Sequence, residues 1–258
     1  MKSKFQLAIL SFLHGATWMI FFVFWIMSNY EDGLYDQIVK NTIAADMNDQ
    51  QKAILLLHET HSLLKPREEL FIGEENINLR DALFRSSDIQ LIDAKEDCAS
   101  YTHVLGRLLQ RSGFVVRIAQ MKCGENWGCH ILLEANVDGK FVALDPLYDV
   151  AFKKNDGTLA NFDEIGQNWD LYKLQVPENY PSRFAYEDVR YTNWDKIPVV
   201  MPIFRKVLSM LMKNEIETLS IRSMVLNVYK TYMILLSIFY IGLTAASYFI
   251  LRSKEVRE

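Results

Sequence analysis

The sequence lacks any stripe of clustered lysine and arginine: 28 basic residues stand against 32 acidic ones, for a net charge of −4. A nucleic-acid surface needs concentrated positive charge to neutralise phosphates, so that class of partner is excluded. There is no internal repeat and no Gly/Ser- or Pro-rich linker, so the middle of the chain reads as one domain. Cysteine is scarce, at three residues, and an odd count leaves one thiol over if the other two pair. Charge itself is missing from two long runs. Phe5 to Tyr30 and Thr231 to Leu251 contain no Asp, Glu, Lys or Arg.

What is present follows from those gaps. A chain of 258 residues that is 50% hydrophobic fits one domain of ordinary size plus an extra apolar fraction concentrated in the two runs. Each run is long enough to cross roughly 30 Å of hydrocarbon as a helix. The first exceeds the roughly 7–15 apolar residues of a cleaved signal peptide and carries no A-x-A site, and neither run shows the polar face of a soluble-core helix. The expected organisation is a membrane span at 5–29, a domain at 31–200, a juxtamembrane helical segment at 201–230 and a second span at 231–251, with the lipid bilayer as a partner. Lys2 and Lys4 precede the first span while Glu31 and Asp32 follow it, which predicts cytoplasmic termini and a domain facing away from the cytoplasm. Arg252, Lys254 and Arg257 support that, whereas Arg222 and Lys230 at the other end of the second span, and Glu255 and Glu258 in the tail, weaken it. His14, inside the first span, is expected to pack against a neighbour or lie near the interface.

Residues 35–64 carry helical spacing and are expected to form one or two helices, with Pro66 just beyond. Within them His58-Glu59-Thr60-His61 resembles a zinc-peptidase helix, but that chemistry needs histidines four apart and these are three apart, so a solvated helix end is expected. The stretch EDCASYTHVLGRLLQRSG places Cys98 after Glu96 and Asp97 at the start of a helix whose apolar residues, Tyr101, Val104, Leu105, Leu108 and Leu109, share one face, and which stops at Ser112-Gly113. Helix-start N–H groups without partners favour a thiolate. FVVRIAQM then reads as a strand, CGENWG as a loop, and CHILLEANV and KFVALD as a hairpin around Asp138-Gly139.

The hairpin supplies a base. With a two-residue turn, Val137 faces Lys140, and counting back puts His130 opposite Leu147, two residues from Asp145. Residues two apart share a strand face, so His130 and Asp145 are diagonal neighbours within side-chain reach. Ile131, Leu133, Ala135 and Val137 point the other way with Val142 and Leu144. A thiol, an imidazole that takes its proton and a carboxylate that holds the imidazole are the groups that amide chemistry through sulfur requires.

The stretches DCASYTHVLGRLLQRSGFVVRIA and HILLEANVDGKFVALDPLYD, with the Gly113 turn, the Arg117 strand and the Asp145-Pro146 pair, resemble the transglutaminase-like, papain-related superfamily in a membrane-anchored form of bacterial type. The likeness covers about residues 90–152. It implies an α+β fold with a helix-borne cysteine and an antiparallel sheet, with Cys98 as nucleophile, His130 as general base and then acid, and Asp145 as the orienting carboxylate. It further implies a thioester made from a carboxamide or peptide carbonyl and passed to water or an amine, with no cofactor and no metal. Two details depart from the family: Ile131-Leu132 follows the histidine in place of a small residue and an aromatic, and Glu96-Asp97 replaces a glycine-containing lead-in.

The backbone N–H of Cys98 is the natural first oxyanion donor. Cys123 and Cys129 either close a small disulfide beside His130 or stand reduced at strand ends. A zinc site from Cys98, Cys123, Cys129 and His130 has suitable ligand types, but adjacent Cys129 and His130 point to opposite strand faces. Trp127 is expected to pack on its own hairpin. Downstream, FKKNDGTLANFDEIG holds a second Asp-Gly turn, YPSRFAYEDVRYTNWDKIP reads as an ordered covering layer, and residues 203–228 read either as helices at the membrane surface or as a solvated connector. Two functions fit: a membrane-tethered thiol enzyme that hydrolyses or transfers an amide of a protein or peptide substrate outside the cytoplasm, or a catalytically silent module that binds an envelope protein or a polysaccharide-assembly partner.

Overall fold

The computed structural model describes residues 2–68, 70, 86–93, 97–196 and 198–255; Glu96, Arg257 and Glu258 lie outside them. The elements in chain order are α1 (Lys2–Thr42), α2 (Asp49–Glu68), α3 (Ser87–Asp93), α4 (Asp97–Arg111), β1 (Val116–Cys123), β2 (Asn126–Val137), β3 (Lys140–Asp145) and β4 (Val150–Ala151). They continue with α5 (Phe162–Gln167), α6 (Trp169–Tyr172), β5 (Val189–Arg190), α7 (Val200–Met212), α8 (Ile221–Met224) and α9 (Val228–Glu255). The chain divides into two units, residues 1–33 with 227–258, and residues 34–226.

In the first unit, two helices are long and apolar enough to cross a membrane, over Phe5–Thr42 and Val228–Arg252. Their most apolar windows are 6% and 0% buried, unlike the core helix of a soluble protein. His14 does meet a neighbour: its Nε2 lies 3.1 Å from Ser247 Oγ, and its ring sits edge-on to Tyr240. Asp32 accepts from Asn227 at 3.1 Å and from Lys230 at 2.7 Å.

The second unit is built on a five-stranded antiparallel sheet in the order β4-β3-β2-β1-β5. Because successive strand residues point to opposite faces, each strand feeds two cores. Val116, Ile118, Leu133, Ala135, Val142 and Leu144 face α2 and α4, meeting Leu56, Leu57, Leu64 and the apolar stripe of α4. Tyr101, Val104, Leu105, Leu108 and Leu109 are all fully buried there, as their 3.6-residue spacing predicts. Burying each such leucine contributes about 1.5–3 kcal/mol. Ala119, Met121, Leu132 and Ala143 face the other way, under Phe152, Phe162, Ile165, Tyr172, Tyr180, Phe184 and Tyr186. The segment after β4 is therefore the covering layer that its composition suggests.

Helix α4 stops where Gly113 takes a φ of 90°. The β2–β3 turn is the Asp138-Gly139 pair, both at positive φ, and the ladder runs from Val137↔Lys140 to Leu133↔Leu144 in the expected register. The Asp156-Gly157 turn also forms, with Lys154 N donating to Thr158 O at 2.8 Å. CGENWG differs from expectation. Cys123↔Asn126 pair across a two-residue Gly124-Glu125 turn, so β1 and β2 form a second hairpin, with a bulge after Met121 that leaves Gly128 and Cys129 outside the ladder. Gly124, at φ 57°, allows the tight turn. Pro66 also falls inside α2 and not beyond it; Ser62, whose carbonyl loses its helical donor there, is exposed to water.

The open edge of β1 beside the short strand β5 is closed by a side chain. Ser220 Oγ accepts from Ile118 N at 3.1 Å and donates to Ile118 O at 3.4 Å, imitating a strand partner. Helix α7 packs Met201 and Leu208 with Trp194, Ile216 and Leu219, and exposes Ile203, Phe204, Val207 and Met210.

Candidate active site

Cys98 is the second residue of α4, so its backbone N–H has no intrahelical carbonyl to meet. Its thiol is free and partly exposed, while Cys123 and Cys129 are joined as a disulfide with their Cα atoms 6.1 Å apart. The bridge ties the end of β1 across the bulge to the residue before His130, and removes two of the four ligands weighed for zinc.

The β2–β3 register places His130 and Asp145 as the sequence reading expects. Both are 1% exposed, and His130 Nε2 lies 2.7 Å from Asp145 Oδ2. The Cys98 thiol is a second hydrogen-bond partner of the same imidazole, so all three residues meet. With Nε2 engaged by the carboxylate, Nδ1 is the nitrogen that faces the sulfur. Burial pulls the imidazole toward its neutral form, but the charge and hydrogen bond of Asp145, then those of Cys98, outweigh it and raise the His130 pKa to about 9. The ring is an imidazolium at neutral pH.

Several elements hold this arrangement. Thr102, one turn after Cys98, donates its hydroxyl to Ile131 O at 2.9 Å, pinning α4 to the residue after His130. His103 Nδ1 lies 2.9 Å from Gln90 Oε1, tying α4 to α3. The HETH stretch has moved from its expected place: it lies in the middle of α2, not at its end. There His61 Nδ1 sits 3.1 Å from Pro146 O, and His58 Nδ1 sits 2.5 Å from Asp149 Oδ1, so both imidazoles grip the turn that follows Asp145.

The covering layer contributes residues that spacing does not identify. Tyr180 donates its hydroxyl to Asp145 Oδ2 at 2.9 Å and lies 3.1 Å from the Tyr186 hydroxyl. Burial, then the adjacent Tyr186 and Asp145, push the Tyr180 phenol far above its usual range, so it remains a donor. Both hydrogen bonds converge on Oδ2; Oδ1 is buried with no hydrogen-bond partner among the described residues. Phe184 stacks on the His130 ring at a centroid distance of 4.4 Å and 13° between planes, and Tyr148 lies 5.9 Å from it. Phe184 thus covers one face of the imidazole. Trp127 lies, as expected, under Lys122 of its own hairpin, and also under Arg190 of β5, at 5.6 and 4.9 Å. The only sequence signal for Tyr180 and Phe184 is the aromatic richness of their segment.

Comparison of the chain with known protein families, with curated proteins and with solved structures finds no match.

Proposed function

We propose that the protein is a membrane-tethered thiol enzyme of transglutaminase-like fold, acting on an amide bond of a protein or peptide outside the cytoplasm. The observation that carries this reading is the free Cys98 thiol at a helix start, sharing a buried imidazole with a buried carboxylate. An imidazolium beside the sulfur stabilises the thiolate, and Asp145 fixes the ring so that Nδ1 faces it. The thiolate attacks the amide carbon while the developing oxyanion takes a hydrogen bond from the Cys98 backbone N–H. As the C–N bond breaks, His130 gives its proton to the leaving amine and a thioester remains. Water then attacks that carbonyl, His130 takes one of its protons, and cleavage of the C–S bond releases the acid and restores the thiolate–imidazolium pair. Hydrolysis is favoured over transfer to an amine because the sulfur is partly exposed and water competes for the thioester.

The non-cytoplasmic placement rests on Lys2 and Lys4 before the first span and on the Cys123–Cys129 bridge, which suits an oxidising compartment. Replacing Cys98 with Ala tests the chemistry. Labelling by a thiol-reactive amide-mimic probe and the cellular phenotype of the gene are both expected to disappear. A phenotype that survives in Cys98→Ala cells would instead mark a binding module built on the same cleft.

A further inference from the structure

A cavity opens on the face of the sheet that α4 also covers. It has a volume of about 420 Å³, and Gln120, Trp127, Ile131, Arg190, Lys196 and Arg222 are among its lining residues. That volume is typical of a ligand cleft. Among the described residues three cations and no carboxylate line it, with Asp195 near enough to Arg190 to act on its charge, in a chain whose net charge is −4. The cleft is also built in advance. Arg190 Nε donates to Gln120 Oε1 at 3.0 Å, Gln120 is only 4% exposed, and the guanidinium lies 4.9 Å from the Trp127 ring centre. With Nε occupied and the plane fixed on an aromatic, the remaining amino groups are oriented for bidentate recognition of a carboxylate. The two walls are stapled together, since Thr192 donates its hydroxyl to Leu219 O at 2.6 Å and accepts from Ile221 N at 3.2 Å.

The cleft adjoins the thiol site through Ile131. That residue follows His130 on β2, and its carbonyl is the one held by Thr102, one helical turn from Cys98. The cleft thus lies next to the strand residue that carries the imidazole, on the face that α4 covers. We propose that this cleft binds acidic side chains of the peptide substrate, with Arg190, Lys196 and Arg222 pairing their carboxylates, so that the protein selects acidic peptides. The inference rests on the amide-directed reading above, and binding without turnover separates the two.

The full chain carrying Cys98→Ala, in detergent micelles, is titrated against a fluorescein-labelled peptide of sequence Gly-Glu-Glu-Gly-Glu-Gly and against its glutamine counterpart, with anisotropy as the readout. The acidic peptide is expected to bind about tenfold tighter or better at low salt, an advantage that shrinks as salt rises. Lys196→Gln together with Arg222→Gln is expected to reduce it to the glutamine level. Lys196→Gln alone, at an exposed position, is expected to lose a measurable part of it and serves if the double variant does not fold. Equal binding of the two peptides, or a preference unchanged in the variants, overturns the proposal. Separately, Cys98 of the wild-type chain is alkylated with iodoacetamide. A rate no faster than that of a simple thiol, and unaffected by His130→Gln, overturns the catalytic reading and leaves the anisotropy result to decide the cleft by itself.

Discussion

At the scale of single residues, the His130 environment sets two opposing effects against each other. Burial disfavours the charged ring, whereas Asp145 and then Cys98 favour it, and the balance lies at about 9. Asp145→Asn removes the carboxylate's charge and leaves burial opposed only by Cys98, so the ring's titration midpoint is expected to fall from about 9. Chemical shifts of labelled histidine in the full chain read this directly, with His130→Gln identifying the resonance among five histidines. The sign of the stability effect follows. A histidine raised above its unfolded pKa stabilises the fold in full below pH 6.5 and loses that contribution as pH rises through about 9. The denaturation midpoint is expected to decline across that window in the wild type and to be flatter in His130→Gln. His130 and Asp145 were legible as neighbours because a two-residue turn fixes strand parity, whereas the place of Cys98 beside them, on a helix, came only with the resemblance. Tyr180 and Phe184 were not, because they reach the site by folding over the sheet, and nothing in local spacing records which strand lies beneath them.

Elements show the same division. The stripe of α4 and the β2–β3 hairpin follow from periodicity and an Asp-Gly turn. The β1–β2 hairpin was hidden by its own bulge, since Met121↔His130 is followed by Lys122↔Trp127 and the alternation of CGENWG is broken at that point. The roof over the site depends on a close approach that sequence alone does not announce. A Cβ at Gly166 in α5 would lie 2.1 Å from the carbonyl oxygen of Tyr186, a backbone atom with little room to yield. Tyr186 is itself at φ 56°, so the segment is committed to this path, and its hydroxyl partners Tyr180 above Asp145. Gly166→Ala is therefore expected to cost about 1–3 kcal/mol in denaturant unfolding, as overpacking does, and to slow alkylation of Cys98 by displacing the roof. Gly33→Ala, inside α1 where nothing lies within 4 Å, is the control and is expected to leave alkylation unchanged and not to lower stability, since alanine favours a helix over glycine.

For the whole molecule, two helices long and apolar enough to cross a membrane raise the question of which side of it the sheet would occupy. If both long apolar helices span, the chain returns to the side on which it started, and a single observation on residues 34–226 then fixes both termini. The lysines at 2 and 4 favour a cytoplasmic start, while Arg222 and Lys230 stand at the opposite end of the second span. Lys230 has a local reason to be there, because Asp32 accepts from it at 2.7 Å. The disulfide is independent of any charge count, as a bridge between Cys123 and Cys129 persists only where thiols are not kept reduced. Asp156, at the tip of an exposed turn, is the place to ask. In a Cys98→Ala background, Asp156→Cys is expected to react with a membrane-impermeant maleimide on intact cells. Labelling that appears only after permeabilisation would place the sheet in the cytoplasm, and with it would go both the bridge and the extracytoplasmic substrate. The two arguments stand or fall together, because a bridge between Cys123 and Cys129 and a substrate outside the cytoplasm call for the same compartment.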